Sequence, residues 1–191
     1  MAAAENNTTV LVTGGSGYLA SWIIKTLIDR GIRVHTTVRD PEDDTKVEHL
    51  KSLGHSDLIT FFKADLLDPG SFETAMASCD MVFHAASPFF VSGFKDAKKE
   101  LIDPAKLGTR NVLESVNSTD SVKRVVLTSS VVAIYGDTKE ALTKTDSTFT
   151  ARDWNSTSTL DHQPYSLSKT VAEKEAWKMA EKQERWDLVT I

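Results

Sequence analysis

Apolar residues along this chain fall into two alternating kinds of segment. Short continuous runs predict strands buried on both faces: Thr9-Val10-Leu11-Val12, Val34 to Val38, Leu58-Ile59-Thr60-Phe61-Phe62, Met81-Val82-Phe83-His84, Val125-Val126-Leu127-Thr128 and Leu188-Val189-Thr190-Ile191. Between the first two runs, Leu19, Ile23, Ile24, Leu27 and Ile28 recur at helical spacing, and Gly31 follows as a stop. Helices are also expected over about 71–77, 98–116 and 165–184, whereas 136–163 is polar and turn-rich with no period. Strand–helix alternation with continuous apolar strands predicts a parallel sheet covered on both faces. Right-handed crossovers then select a doubly wound α/β arrangement. The expected division is a loose leader over 1–7 and one domain over 8–191, which ends within the sixth strand.

Composition narrows the function classes. The chain has 191 residues, 40% hydrophobic and 26% charged, which suits a globular domain and excludes low-complexity or disordered readings. Its 22 basic and 27 acidic side chains give a net charge of −5, so nucleic acid is not an expected partner. No apolar run is long enough to span a bilayer, so no membrane contact is expected. Cys79 is the single cysteine, and the N-terminal residues lack the pattern of a secretory signal. A reducing, cytoplasmic location is the expectation. The five histidines lack close spacing, so no metal site is expected.

The first strand leads into Thr13-Gly-Gly-Ser-Gly-Tyr-Leu-Ala20. Gly14 allows a sharp turn, Gly17 clears a path for a pyrophosphate, and Ala20 permits close helix–strand packing. The helix N-terminus adds free N–H groups and positive potential. Lying between a strand and an amphipathic helix, the loop predicts nucleotide binding on a Rossmann-type sheet. The end of the second strand selects the nucleotide. An acid there holds the ribose hydroxyls of NAD, but the slot holds Val38 followed by Arg39. A guanidinium suits a 2′-phosphate, and Lys46 offers a second cation, so NADP(H) is expected.

Tyr165-Ser-Leu-Ser-Lys169 places a phenol and an ammonium one helical turn apart. The ammonium is expected to lower the phenol pKa toward neutrality and create an acid–base group. Thr128-Ser129-Ser130 ends the fifth strand, at the edge where open α/β sheets bind ligands.

Taken together, the chain resembles an extended short-chain dehydrogenase/reductase, in the dihydroflavonol 4-reductase and cinnamoyl-CoA reductase-like branch. The residues that carry the likeness are VTGGSGYLASWIIKTLIDRG at 12–31, TVRDP at 37–41, ADL at 64–66, VFHAASP at 82–88, GTRNVLES at 108–115, LTSS at 127–130 and YSLSKTVAEKEAW at 165–177. The resemblance implies an NADP(H)-dependent reductase that transfers hydride to a ketone or aldehyde of a small molecule. It implies Ser130, Tyr165 and Lys169 as the catalytic set. It further implies cofactor contacts at Gly14, Gly17, Tyr18, Leu19, Arg39, Lys46, Asp65, Leu66, Ala85, Ala86 and Lys169. It also implies a substrate-binding lobe beyond the sixth strand, missing from this sequence. Two other readings are a nucleotide-sugar epimerase or dehydratase, and a nucleotide-binding remnant or sensor without activity.

Weaker features complete the picture. Phe89, Phe90 and Phe94 follow the fourth strand and suit an apolar substrate pocket or core packing. His84 reads as a packed core residue, and His162, three residues before Tyr165, as part of a surface loop or a residue facing substrate. Ala172, Ala176 and Ala180 form a smooth stripe, suited to the sheet or to a homodimer interface.

Overall fold

The computed structural model describes residues 8–88, 93–144 and 146–191. The expected leader, Phe89 and Phe90 lie outside the described residues; Phe94 is half-buried. Six strands form one sheet: β1 (Thr9–Thr13), β2 (Arg33–Val38), β3 (Ile59–Lys63), β4 (Met81–His84), β5 (Arg124–Leu127) and β6 (Asp187–Thr190). The order is β3-β2-β1-β4-β5-β6, and every pairing is parallel. This is the doubly wound Rossmann-type topology. The direction of winding reverses between β1 and β4, which opens a crevice at their carboxyl ends.

Side-chain alternation along β1 divides the core. Val10 and Val12 face α1 (Tyr18–Ile28), where they pack with Ala20, Ile24 and Ile28. Leu11 faces the other side, with Phe72, Val82, Val112 and Ala176. That side is covered by α3 (Glu73–Met76), α4 (Asp103–Asn117) and α5 (Pro164–Ala180). Ala172 and Ala176 are buried, so the alanine stripe packs inside the fold.

An unexpected helix, α2 (Asp44–Lys51), follows β2. It is short and half charged, buries Val47 and Leu50, and is capped by the Asp43 carboxylate accepting from Thr45 N at 3.0 Å. Two buried positions in eight residues leave little periodicity to detect. The helix expected over 98–116 is divided. Residues Lys98–Ile102 form a wide turn before α4, and Pro104 sits in α4's first turn. Proline lacks an N–H and disrupts the preceding turn, which accounts for the change of winding. Among the described residues, no helix is long and apolar enough to cross a membrane.

Candidate active site

The loop after β1 is built around Gly14, whose φ is +74°, a left-handed backbone that favours glycine. A Cβ on Gly14 would also lie 3.0 Å from Cα and Cβ of Ala86, at the turn after β4. Two neighbouring strands therefore converge here with no room for a side chain. Gly17 caps α1 without a side chain, and α1 has no acid in its first turn. The N–H groups of that turn suit an anion.

A groove of about 550 Å³ runs along the carboxyl ends of β1 to β4. It gathers Gly14, Gly17, Arg39, Asp65, Leu66, Ala85 and Ala86. Val38 lines the groove where an acid would hold an unmodified ribose, with Arg39 beside it. Leu66 is held by Asn111, whose Nδ2 donates to its carbonyl at 2.7 Å, and by Gly108, where a Cβ would lie 3.0 Å from Leu66 Cβ. The Asp65 carboxylate accepts from Leu67 N at 2.8 Å and shapes the turn after β3. Tyr18, Leu19 and Lys46 are exposed and lie outside the groove lining. Glu100 and Pro104 line the groove without having been singled out from sequence.

The second part of the site lies at the end of β5. Ser129 Oγ donates to Glu173 on α5. The next residue, Ser130, caps a short turn over Val131–Ala133, and its Oγ accepts from Val132 N at 3.3 Å. The two adjacent serines thus have different partners, and Ser129 is tied to α5 by its hydroxyl. Tyr165 sits in the first turn of α5 and Lys169 one turn on. The helix packs against the Val131–Ala133 turn that Ser130 begins.

Lys169 is buried, and its Nζ donates to the Thr128 carbonyl at 3.3 Å. Burial lowers its pKa, an effect that Glu173 opposes. The phenol of Tyr165 departs from the sequence expectation. Burial raises its pKa, the opposite of the expected fall. Helical spacing puts both residues on one face, but the ammonium is directed at Thr128. Lys169 shares a small cavity with His84, Ser87, Thr128, Ser129 and Glu173. Ala86 and Ser87 line both this cavity and the groove.

His84 is a core residue, bonded to Thr13 and fully buried. His162 lies in a loop, where Nε2 is 2.9 Å from Asp137 Oδ1. That contact holds the Asp137 carboxyl below its ordinary range. Burial pushes the Cys79 thiol up to about 12, the state of an inert core thiol. Residue types and spacing did not single out Glu173; its signal was a place one turn beyond Lys169 on the same face.

Residues 10–191 match the model of the NAD dependent epimerase/dehydratase family. Cinnamoyl-CoA reductase CAD2 of Medicago truncatula is 45% identical over 195 residues, covering 100% of this chain and 58% of the relative. Anthocyanidin reductase of Vitis vinifera is 40% identical over 188 residues, covering 96% of this chain and 54% of the relative. The structure of Gre2 from Candida albicans, in complex with NADPH, superposes with a TM-score of 0.84 at 31% identity, over 96% of this chain and 56% of that one. The chain spans a little over half the length of these relatives. It belongs to the NAD dependent epimerase/dehydratase family of extended short-chain dehydrogenases/reductases, in the cinnamoyl-CoA reductase and dihydroflavonol reductase-like branch.

Proposed function

We propose that this chain is the dinucleotide-binding part of an NADP(H)-dependent reductase acting on a ketone or aldehyde of a small molecule. The observation that carries the reading is the junction at Ala86 and Ser87. These two residues line both the phosphate-loop groove and the cavity that holds Lys169.

The groove's residues fit the dinucleotide. Its loop has no space for a Cβ at Gly14, its helix start is free of acids, and Arg39 stands next to Val38, which fills the slot where NAD would need a carboxylate. Gly14, Gly17 and the first N–H groups of α1, those of Tyr18 and Leu19 included, bind the pyrophosphate. Arg39 pairs with the 2′-phosphate and Lys46 adds positive field. Asp65 and Leu66 flank the adenine, and Ala85 and Ala86 support the middle of the cofactor.

When bound, the reduced nicotinamide supplies a hydride for the carbonyl carbon. Ser130 donates a hydrogen bond to the substrate oxygen. Tyr165 gives its phenolic proton to that oxygen, and burial keeps the phenol in this donating form. Lys169 holds the nicotinamide ribose and provides positive charge beside the phenol.

The test titrates the chain with NADPH and NADH by nicotinamide fluorescence. Loss of the reduced cofactor is then followed over a panel of aldehydes and ketones, with Tyr165→Phe alongside, in a form that carries the substrate-binding lobe the resemblance implies, because the 191-residue chain alone is expected to turn over poorly. Tighter NADPH binding is expected, with turnover that Tyr165→Phe abolishes while cofactor affinity is kept. Preference for NADH, or turnover indifferent to Tyr165→Phe, would count against the reading.

A further inference from the structure

Glu173 lies one helical turn beyond Lys169, and its carboxylate is engaged from two sides. Ser129 Oγ donates to Oε2 from the end of β5. The Trp177 indole donates to Oε1 at 3.1 Å from one turn further along α5. Glu173 and Lys169 line one small cavity, with room for about one water molecule.

Lys169 needs a counter-charge. It is buried, and its hydrogen bond to the Thr128 carbonyl is to a neutral group. A buried ammonium stays charged only when its lost hydration is replaced by an anion or several acceptors. From β4, His84 faces the cavity, and burial with the Lys169 charge holds its imidazole neutral. From β5 come Thr128 and Ser129, both uncharged. On α5, Tyr165 carries a protonated phenol one turn before Lys169. Glu173 is the one carboxylate among the described residues lining the cavity, and its charge works against the effect of burial on Lys169.

We propose that Glu173 is the counter-ion and positioning residue of the catalytic end of α5. Its charge keeps the buried Lys169 protonated. Its bond to Ser129 fixes the strand end that carries Ser130. The carboxylate thus links two of the three proposed catalytic groups without touching substrate, a role that rests on the reductase reading of Lys169 and Ser130.

The test follows the side-chain resonances of Lys169 in the isotope-labelled chain. It uses no cofactor and no substrate, so this proposal and the reductase reading can fail separately. Glu173→Gln replaces the carboxylate with a neutral amide of the same shape. The Lys169 midpoint should then fall by on the order of one pH unit. Trp177→Phe removes a donor to Glu173 but leaves its charge, so the midpoint should barely move. An unchanged midpoint in Glu173→Gln would overturn the proposal. An equal fall in both variants would overturn it too, because packing along α5 would then hold the lysine. Glu173→Asp gives a further check that keeps the charge. Its Lys169 midpoint should stay close to that of the unsubstituted chain, and a fall as large as in Glu173→Gln would also overturn the proposal.

Discussion

The Thr13 hydroxyl at the end of β1 lies 2.9 Å from Nδ1 of His84 at the end of β4. The same oxygen accepts the Ala86 N–H at 3.0 Å. A hydroxyl can serve an amide and an imidazole together, so Thr13 Oγ1 ties both partners to the end of β1. Both groups are buried, so the bond replaces water that neither can reach. It joins the two strands that flank the crevice and holds the Ala86 turn directly against Gly14. A pair outside the proposed catalytic set therefore shapes the floor of the groove.

The same pair makes stability depend on pH. Burial first, and the Lys169 charge second, push His84 from its ordinary 6.5 down to about 3. The unfolded chain protonates this residue near the ordinary value, and the folded chain does so only near the lower one. Between them the unfolded state binds more protons, so stability rises with pH and is lost as pH falls through that window. One such site gives a slope of about 1.4 kcal/mol per pH unit. Carboxylates held down by partners, such as Asp137 and Glu140, act below their ordinary values of 3.8 and 4.5. The range from there up to the ordinary histidine value isolates the His84 contribution. Urea unfolding at intervals across it should show the slope, and His84→Asn should flatten it. The same slope in His84→Asn would assign the acid sensitivity to other groups.

What was legible in the sequence follows from the physics of each element. Strands such as Val10-Leu11-Val12 are buried on both faces of a parallel sheet, so they read as unbroken apolar runs. The phosphate loop was legible because its glycines sit between a strand and a helix. Helix α2 was not, since a short charged helix with two buried residues has almost no pattern. The Tyr165 pKa went the other way because spacing fixes a shared face but does not show the burial that raises the phenol's pKa. Thr13 and Glu173 act through partners 71 and 44 residues away in sequence, His84 and Ser129, a proximity that only the folded sheet creates.

The cofactor preference can be tested at a single position. Arg39 lines the groove at the end of β2, and the residue before it, Val38, offers no acceptor to a ribose hydroxyl. Arg39→Asp removes a charge-assisted partner for the 2′-phosphate and installs an acceptor for a free hydroxyl. NADPH binding should weaken by roughly 10- to 100-fold, the effect of losing about 1.5–3 kcal/mol, while NADH binding holds or improves. Fluorescence titration with both cofactors measures the ratio. Equal weakening of the two would mean that Arg39 does not read the phosphate.

A steric test of the loop centres on Gly15, which sequence reading passed over. Its N–H donates to the Thr37 carbonyl at 2.9 Å, which draws the loop against β2. A Cβ there would lie 2.2 Å from Thr36 Oγ1 and 3.2 Å from Thr36 Cγ2. Thr36 has little freedom to retreat: it is fully buried, β-branched, and its Oγ1 donates to the Val12 carbonyl at 2.9 Å. The backbone of Gly15 is not left-handed, so the conflict is one of space, not of conformation. Gly31 presents the opposite case, with φ at +73° and open space around a Cβ. Gly31→Ala should therefore cost only the left-handed strain, about 1 kcal/mol, and leave NADPH binding unchanged. Gly15→Ala should cost on the order of 1–3 kcal/mol and also weaken NADPH, because relief of the clash moves the loop off β2. Thr36→Ala removes the two nearest of the three atoms that a Cβ would meet, leaving Thr36 Cβ at 3.3 Å. The double variant Gly15→Ala/Thr36→Ala should thus be more stable than the sum of the single losses implies. Chemical denaturation of the four chains measures that coupling, and strict additivity would show that the contact with Thr36 is not what reserves this position for glycine.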